Sequence, residues 1–508
     1  MNDAPEVNPW FTAIAVMAAT FMVTLDTTVV NVSLPYIAGS LSATVNESTW
    51  ALTSYVAANA IILPMTGWLA SMVGRKRLLI GSVVGFTIAS ALCGLAPSLS
   101  ALILFRVIQG ATGGVMQPLS QAVLLEAFPP QDRGRAMGFW GLGIVVAPIL
   151  GPVLGGWLTD NYSWRWVFYI NIPIGVLSVF LLRQFVHDPA YIKRAAGATI
   201  DYMGLLLMTL GIGALQIMLD KGQEDDWFES PFITTMAVLA VAGLIAFVVR
   251  ELSAKHPVID LHVFKDRTYA VGAAMMTVVG FVLFGSLVLL PVMMQTLLGY
   301  PPIQAGIALA PRGIGSMIAM PLVGMITQRV DSRKLVALGL LMGGVTLLWL
   351  GELNLSAGYW DFFWPQFLQG IALGLLFVPL TTVTMAGMAR EQMGNAASIF
   401  NLVRNIGAGI GIAGVATMLT RFRTTHVANL AEHISLYDPR IRMQVGGAVP
   451  DLRVVAGLQG QVMRQAALMS FIDAFRILGL VFLALLPLVF LMRRQAAQPT
   501  ERVVVHAD

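Results

Sequence analysis

Asp26 is a carboxylate inside a long apolar stretch, where a charged side chain is costly. The apolar run begins at Trp10 and continues past Asp26 to Pro35. A carboxylate at the centre of a membrane helix costs about 2.5–3.5 kcal/mol on insertion scales. Low dielectric favours its protonated form and a nearby cation favours its charged form, so the group can alternate between the two. A proton-coupling site requires this behaviour; a carboxylate permanently paired for structure is the alternative.

Arg106 begins a stripe of polar and small residues in another apolar stretch. Arg106, Gln109, Gly113 and Gln117 follow 0, +3, +7, +11 spacing and share one helix face. A polar stripe in lipid must face protein or a water-filled cavity. Arg106 and Asp26 lie at similar depths, so they can interact directly or through water. Arg106 would then stabilise the charged carboxylate in one state and release it in another; a structural arginine at a helix crossing is the alternative.

A second polar stripe lies near the other end of the chain. Ser398, Asn401 and Asn405 recur at helical spacing with Arg404 beside them, and Arg312 follows Pro311 in a different apolar stretch. Either arginine could contact a substrate or pair across a cavity, and structural roles are equally compatible with the pattern. The residues expected to line a substrate cavity are Asn31, Gln109, Gly113, Gln117, Arg312, Asn401, Arg404 and Asn405.

Small residues and basic clusters mark places where helices could approach or move. Gly151, Pro152, Gly155 and Gly156 crowd one apolar stretch, which suits close packing at an interface that rocks, with static packing as the alternative. A loop holds further candidates for a contact that forms in one conformation and breaks in another: Gly67, Gly74, Arg75 and Lys76. Anchoring of the loop at the membrane surface by its positive charges explains the same pattern.

Other kinds of chemistry find little support in the chain. Gly409 to Gly414 fits GxGxxG but lies inside an apolar stretch with no strand before it. Neither an ATP-binding GxxxxGK[ST] nor a zinc-binding HExxH occurs, and Cys93 is the single cysteine, which excludes an intrachain disulfide. We therefore expect no enzyme activity, no metal and no cofactor apart from a proton gradient. The basic residues form short clusters between apolar runs, which argues against nucleic-acid binding.

Composition identifies the elements that carry these residues as membrane helices. The 508 residues are 57% hydrophobic and 11% charged, with a mean hydropathy of +0.76. A soluble domain is about 25% charged, so this chain needs the bilayer as a second apolar solvent. Apolar stretches long enough to span recur near 11–35, 48–71, 79–98, 101–127, 137–158, 166–187, 202–219, 231–250, 269–298, 303–328, 333–351, 361–388, 395–420 and 470–492. The sequence thus predicts an all-α polytopic membrane protein of fourteen helices.

Charge asymmetry predicts how the helices are oriented. An even number of helices places both termini on one side, and most of the 31 basic residues fall on the termini and loops of that side. The opposite short loops hold only Arg165 and Lys221. Positive charge marks the cytoplasmic side, so both termini are expected there. The start of the chain has no basic region typical of a signal peptide, and its first apolar stretch is expected to be retained.

The two ends of the chain repeat each other. Gln109-Gly110 has a counterpart in Gln369-Gly370, and the loop after Gly67 has one after Gly324, at offsets of 260 and 257 residues. Repeated six-helix halves are a transporter architecture, with the substrate path between them. The pattern predicts a first half at 1–195, two additional helices at 196–262, and a second half at 263–508 with a long loop at about 421–469.

Several motifs resemble those of the major facilitator superfamily, specifically its fourteen-helix EmrB/QacA branch of drug:proton antiporters. The motifs are Leu25-Asp26-x-Thr28-x-x-Asn31-x-x-Leu34-Pro35, Arg106-x-x-Gln109-Gly110, Gly151-Pro152-x-x-Gly155-Gly156, Trp164-Arg165-Trp166-x-Phe168-x-Ile170-Asn171-x-Pro173, Leu215-Gln216-Ile217-Met218-Leu219-Asp220 and Trp364-Pro365-Gln366-Phe367-x-Gln369-Gly370.

The resemblance implies a major facilitator fold and export of hydrophobic toxic compounds in exchange for protons across a bacterial inner membrane. It assigns coupling to Asp26 and Arg106. It also implies a periplasmic adaptor and an outer-membrane channel as partners, with the loop at about 421–469 as a candidate docking surface. An exporter of one metabolite, such as a lipid, siderophore or amino acid, is the alternative on the same fold.

The chain departs from the branch pattern at two places. In the loop between the second and third helices, Ser71 and Met72 replace the usual acidic and basic residues. In the second half Gln366 stands where the first half has Arg106. Proton chemistry is therefore expected to be concentrated in the first half.

Overall fold

The computed structural model describes residues 8–129, 131–188, 201–254, 257–327, 329–432 and 452–492. Within these ranges the chain is helical with short connections and contains no strand. Fourteen of the described helices are long and apolar enough to cross a membrane, which confirms the predicted fold class. They are α1 Pro9–Ser40, α2 Trp50–Val73, α3 Arg75–Leu95, α4 Leu99–Ala127, α5 Arg133–Asn161, α6 Trp166–Phe185, α7 Tyr202–Lys221, α8 Pro231–Ser253, α9 Arg267–Thr296, α10 Gln304–Ile326, α11 Ser332–Leu350, α12 Tyr359–Ala386, α13 Met393–Glu432 and α14 Arg453–Val489.

The last two helices are longer than the sequence predicts. Residues 421–432 continue α13 and residues 453–469 belong to α14. The prediction of a loop at about 421–469 is therefore wrong over both stretches. Residues 433–451 of that loop lie outside the described residues. Hydropathy misses these extensions because they are polar and largely exposed, whereas their backbone remains helical. His426 Nε2 lies 2.7 Å from Asp473 Oδ2 and joins the two helices.

The same pattern of helix contacts occurs twice. In the first half α1 packs on α5, α2 on α4, and α3 on α4. In the second half α9 packs on α13, α10 on α12, and α11 on α12, which are the same pairs shifted by eight helices. This arrangement agrees with the repeat in the sequence. The division at 195/196 falls outside the described residues, and the domain limits stay a prediction.

The helices α7 and α8 stand apart from the repeat. They pack on each other, and α7 also contacts α2 of the first half and α13 of the second. In an 18-residue apolar stretch of each helix, 22% of the residues are buried in α8 and 83% in α12. Helix α8 therefore presents most of its surface to lipid. An ion pair fixes the start of α7 to the end of α8, with Asp201 Oδ2 2.9 Å from Arg250 Nε.

The two halves approach each other closely at one end of the bundle. We call this end the N-face; α1 begins there at Pro9, α2 ends there and α3 begins there. A side-chain carbon added to Gly67 would lie 2.9 Å from the Asn395 Cα, and one added to Gly324 would lie 2.9 Å from the Arg135 Cα. Real side chains do not fit at these separations, so glycine is required for backbone contact between the halves.

Candidate functional site

The carboxylate of Asp26 accepts hydrogen bonds from three side chains at the centre of the first half. Arg106 Nη1 donates to Asp26 Oδ2 at 2.6 Å, which confirms the expected proximity. Gln109 Nε2 and Asn171 Nδ2 donate to Asp26 Oδ1 at 2.9 Å and 2.7 Å. All four side chains are fully buried. Charge-assisted bonds of this length are strong, and they hold the carboxylate away from water.

Each partner of Asp26 is itself held in place. Gln109 Oε1 accepts from Arg106 Nη1 at 2.9 Å, so the amide bridges the guanidinium and the carboxylate on α4. Arg106 Nε donates to the Ala51 carbonyl on α2 at 2.9 Å, and its Cζ lies 4.0 Å from the centre of the Tyr55 ring. The guanidinium is thus fixed by α2, and its position follows from the packing of α2 on α4.

Asn171 is a member of the network that the sequence analysis did not assign. It lies in α6 just after a turn at Ile170, and its Nδ2 also donates to Ser90 Oγ on α3 at 3.0 Å. Ser90 Oγ in turn donates to the Phe168 carbonyl at 2.8 Å. An asparagine in an apolar helix beside Pro173 was the available signal, but its distance in sequence from Asp26 concealed the contact.

The hydrogen bonds of Asp26 depend on the relative positions of several helices. The four helices α1, α3, α4 and α6 each supply a member, so a relative shift changes the surroundings of Asp26. In the paired state the guanidinium balances the carboxylate, and loss of that cation would leave a buried charge uncompensated. Addition of a proton to Asp26 removes the charge that attracts Arg106. Arg106 Nη2 has no hydrogen-bond partner among the described residues, which leaves one donor available for a different arrangement.

A second polar cluster connects the halves. Arg404 Nη2 on α13 donates to Gln117 Oε1 on α4 at 2.8 Å, and Asn401 Nδ2 donates to Gln121 Oε1. Gln117 Nε2 in turn donates to Thr24 Oγ1 on α1 at 3.2 Å. The two stripes predicted from the sequence therefore meet, and they meet at the interface between the halves.

The remaining residues predicted for the cavity are dispersed. Asn405 Oδ1 accepts weakly from Arg404 at 3.4 Å, and buried Arg312 lies 3.5 Å from Ser286 Oγ. Asn31 is exposed and joins neither cluster. A side-chain carbon added to Gly113 would lie 3.2 Å from the Phe86 ring, so the structure places Gly113 in helix packing within the first half.

The glycine-rich segment of α5 packs inside the first half. Gly155 approaches the Val29 carbonyl on α1, Gly151 contacts Thr28, and Gly156 is in ordinary contact with Val32. Pro152 is partly buried between them. The small residues of this segment face α1, so they do not form a contact between the halves. The contact between the halves uses the opposite end of α5, where Gly134 meets Gly324.

The loop between α2 and α3 is stabilised within the first half. Gly74 has φ +93°, a backbone conformation that favours glycine, and it allows the turn into α3. Arg75 pairs with Glu126 on α4. Asp188 Oδ1 accepts from the Lys76 backbone N–H at 2.7 Å, so a carboxylate after α6 caps α3. These contacts explain how the loop is ordered although Ser71 replaces the usual acidic residue.

Comparisons with known proteins agree with the geometry. The family model described as Major Facilitator Superfamily matches residues 16–412. Fatty acid resistance protein FarB of Neisseria gonorrhoeae is 39% identical over 484 residues, which cover 94% of each chain. Multidrug export protein EmrB of Escherichia coli (strain K12) is 39% identical over 482 residues, again 94% of each chain.

A solved structure shows the same fold at low identity. The proton:xylose symporter XylE has a TM-score of 0.62 and 13% identity, over 96% of this chain and 97% of that one. At this identity the likeness concerns the fold alone. The fourteen helices, the repeated packing and the relatives along nearly the whole chain lead to one assignment: the chain is a non-enzymatic transporter that belongs to the major facilitator superfamily, in the branch that contains EmrB and FarB.

Proposed function

We propose that this transporter exports lipophilic toxic compounds in exchange for protons across the bacterial inner membrane. The observation that carries the proposal is the fully buried Asp26 carboxylate bound by Arg106, Gln109 and Asn171. The relatives support the direction and the kind of substrate, since one is named for multidrug export and another for fatty acid resistance. The gradient of protons supplies the energy, and the proposal requires no cofactor.

In the proposed cycle the Asp26 network alternates between two states. With Asp26 charged, Arg106 and Gln109 hold α1 against α4. Protonation of Asp26 from the periplasm removes its charge and weakens that attachment, which permits the first half to rock against the second. Release of the proton to the cytoplasm restores the ion pair. Arg106 acts by making the charged carboxylate stable in one state and not in the other.

We assign the N-face to the cytoplasm. The helix ends and loops at this face carry clusters of basic residues, among them Arg75, Lys76 and Arg77 at the start of α3, as the cytoplasmic side of a membrane protein does. Both termini are then cytoplasmic. The glycine contacts Gly67–Asn395 and Gly324–Arg135 close the N-face. On this assignment the halves meet on the cytoplasmic side.

The extensions of α13 and α14 are proposed to contact a periplasmic adaptor that leads to an outer-membrane channel. With 40 residues, α13 is roughly 60 Å long, about twice the apolar thickness of a bilayer. It begins at the N-face, so its extension projects from the opposite side. The polar and exposed residues 421–432 and 453–464 suit contact with a soluble partner.

The test is the replacement Asp26→Asn, which keeps the size of the side chain and one acceptor oxygen, and removes its charge and its proton exchange. Purified protein in liposomes would be assayed with lipophilic anionic, neutral and cationic dyes, with and without an imposed pH gradient. We expect gradient-driven transport to be lost while the protein remains monodisperse and folded. Asp160→Asn is the matched control, because Asp160 is exposed and accepts a hydrogen bond from the Tyr36 hydroxyl. Gradient-driven transport in Asp26→Asn at the level of that control would disprove the coupling assignment.

A further inference from the structure

The buried charges of the described residues do not balance. Seven charged side chains are buried: Asp26, Arg75, Arg106, Lys221, Glu251, Arg312 and Arg404. Arg106 pairs with Asp26, Arg75 with Glu126 and Lys221 with Glu224. Arg312 and Arg404, in contrast, have no carboxylate within ion-pair distance anywhere in the part of the chain that the structure describes. The interior of the second half therefore holds two cations without anions.

Arg404 is the better placed of the two to meet a ligand. Its side chain is 7% exposed and reaches across the interface between the halves to Gln117 on α4. Neutral amides supply its hydrogen-bond acceptors, namely Gln117 Oε1 at 2.8 Å and Asn405 Oδ1 at 3.4 Å. Its Nε is buried and has no acceptor among the described residues. Amides satisfy hydrogen bonds but leave the charge of the guanidinium uncompensated.

The unsatisfied edge of Arg404 has the form of an anion site. Nε and Nη2 of a guanidinium lie side by side and donate in parallel to the two oxygens of a carboxylate or sulfonate. An anion on this edge would fill the vacant Nε acceptor position and displace the weak Asn405 contact. It would also compete with Gln117 for Nη2, and so loosen a hydrogen bond that joins the halves.

Apolar side chains lie beside Arg404 along α13 and elsewhere at the interface between the halves. Phe400, one turn earlier on α13, is buried, and the rings of Trp140 and Phe377 stack across the interface with centroids 6.2 Å apart. A ligand with a single negative head and an apolar body matches these surroundings. An ammonium head would meet the buried guanidinium of Arg404, and like charges in low dielectric repel each other.

We propose that Arg404 and Gln117 form the head-group site of the substrate cavity, and that the transporter therefore selects lipophilic monoanions over lipophilic cations. The site deepens the proposed export function and rests on it. Arg312 adds a second positive charge to the field of the second half, while Arg404 makes the direct contact.

The experiment compares two probes with the same tail. Dodecane-1-sulfonate and dodecyltrimethylammonium would be titrated into the full chain in lipid nanodiscs by calorimetry, with empty nanodiscs to subtract partitioning into lipid. Wild type is expected to bind the sulfonate at least about tenfold more tightly than the ammonium. Arg404→Gln should remove this preference by weakening the sulfonate alone, and Arg404→Lys should keep part of it. Arg267→Gln, at an exposed arginine that begins α9, is the matched control and should leave both affinities unchanged.

The outcomes separate the site from the transport function. Equal affinity of wild type for the two probes, or an equal loss of both in Arg404→Gln, would overturn the proposal; the wild-type arm remains decisive if Arg404→Gln does not fold. Gradient-driven export of cationic and anionic dyes without preference would overturn the site and leave proton-coupled export standing. An Arg404-dependent sulfonate preference in a protein that shows no gradient-driven export would retain the site and refute the proposed function.

Discussion

The two six-helix halves share their helix packing but have different polar centres. In the first half, Asp26 accepts hydrogen bonds from Arg106, Gln109 and Asn171. In the second half the repeat places Gln366 and Gln369 at the positions of Arg106 and Gln109. Gln366 Oε1 and both amide atoms of Gln369 are buried without partners among the described residues. The framework was duplicated, whereas the ionisable network occurs in one copy.

This difference separates two tasks that a transporter must perform. Helix packing is the same in both halves, and the N-face contacts share this symmetry, because α2 meets α13 where α5 meets α10. The chemistry needs no such symmetry. One half holds the Asp26–Arg106 ion pair, while the other holds the buried cations Arg312 and Arg404, which have no carboxylate partner among the described residues.

The strongest test of this contrast compares Arg106→Gln with Gln366→Leu. Arg106→Gln leaves the Asp26 carboxylate buried without a cation, which costs about 3–5 kcal/mol unless Asp26 takes up a proton. Either outcome should abolish gradient-driven transport. Gln366→Leu removes an amide whose oxygen has no partner, so it should be nearly neutral for folding and transport. Thermal unfolding and transport in liposomes measure the two effects.

A double variant distinguishes lost coupling from lost folding. Asp26→Asn combined with Arg106→Gln removes both charges, so it should recover much of the stability that Arg106→Gln loses, without recovering transport. If Gln366→Leu cost as much transport as Arg106→Gln, the second half would also carry coupling chemistry and the contrast between the halves would be wrong.

Much of the framework could be predicted from the sequence, because hydropathy and charge reflect the bilayer directly. Each of the fourteen apolar stretches became a helix, and the repeat at Gln109 and Gln369 matched the repeated packing. The proximity of Asp26 and Arg106 also followed from their depths. A buried charge in a membrane has few options other than a partner at the same depth.

The remaining features depend on which helix faces which, and one-dimensional patterns contain no such information. Asn171 joins the network only because α6 lies against α1. The small residues around Gly151 indicated close packing correctly but not the identity of the partner helix. The polar ends of α13 and α14 were missed because a hydropathy pattern ends where lipid ends, while a helix continues as long as its backbone bonds do.

A smaller effect is expected where the halves are alike, at Gly67 and Gly324. Replacement of either by leucine places a side chain against the backbone of the other half. A clash of about 1–3 kcal/mol in the closed N-face state shifts the equilibrium about 5- to 150-fold toward separation at that end. The two variants should therefore reduce transport to a similar extent. Distances between spin labels across the N-face measure the shift.

Gly81→Leu is the control for the N-face variants, because nothing lies within 4 Å of a side-chain carbon at that position on α3. It should leave transport and the label distances unchanged. Unequal effects of Gly67→Leu and Gly324→Leu would show that the symmetry of packing does not extend to the motion. One half would then dominate the rocking as well as the proton exchange.

The smallest effect is expected outside the halves, at Asp201 before α7. Its Oδ1 caps the helix by accepting from the Gly204 N–H at 3.0 Å, and its carboxylate pairs with Arg250. The hydrogen bonds from Arg250 and Gly204 hold the pKa of Asp201 below its usual value. Asp201→Ala should cost about 0.5–2 kcal/mol through the lost cap. Asp201→Asn keeps a capping oxygen and should cost less, about 0.2–1 kcal/mol for an exposed pair.

The dependence on pH tests the origin of the Asp201 effect. A lowered pKa means that the charged carboxylate stabilises the folded state fully above about pH 4, the ordinary range for aspartate. That contribution is lost as the pH falls through the lowered value, so the melting temperatures of wild type and Asp201→Asn should converge in acid. Transport by both variants should equal that of wild type when corrected for folded protein. A transport defect at full stability would mean that helices α7 and α8 take part in the transport cycle through α7, which contacts both halves. The functional contrast would then lie between three units of the molecule instead of two.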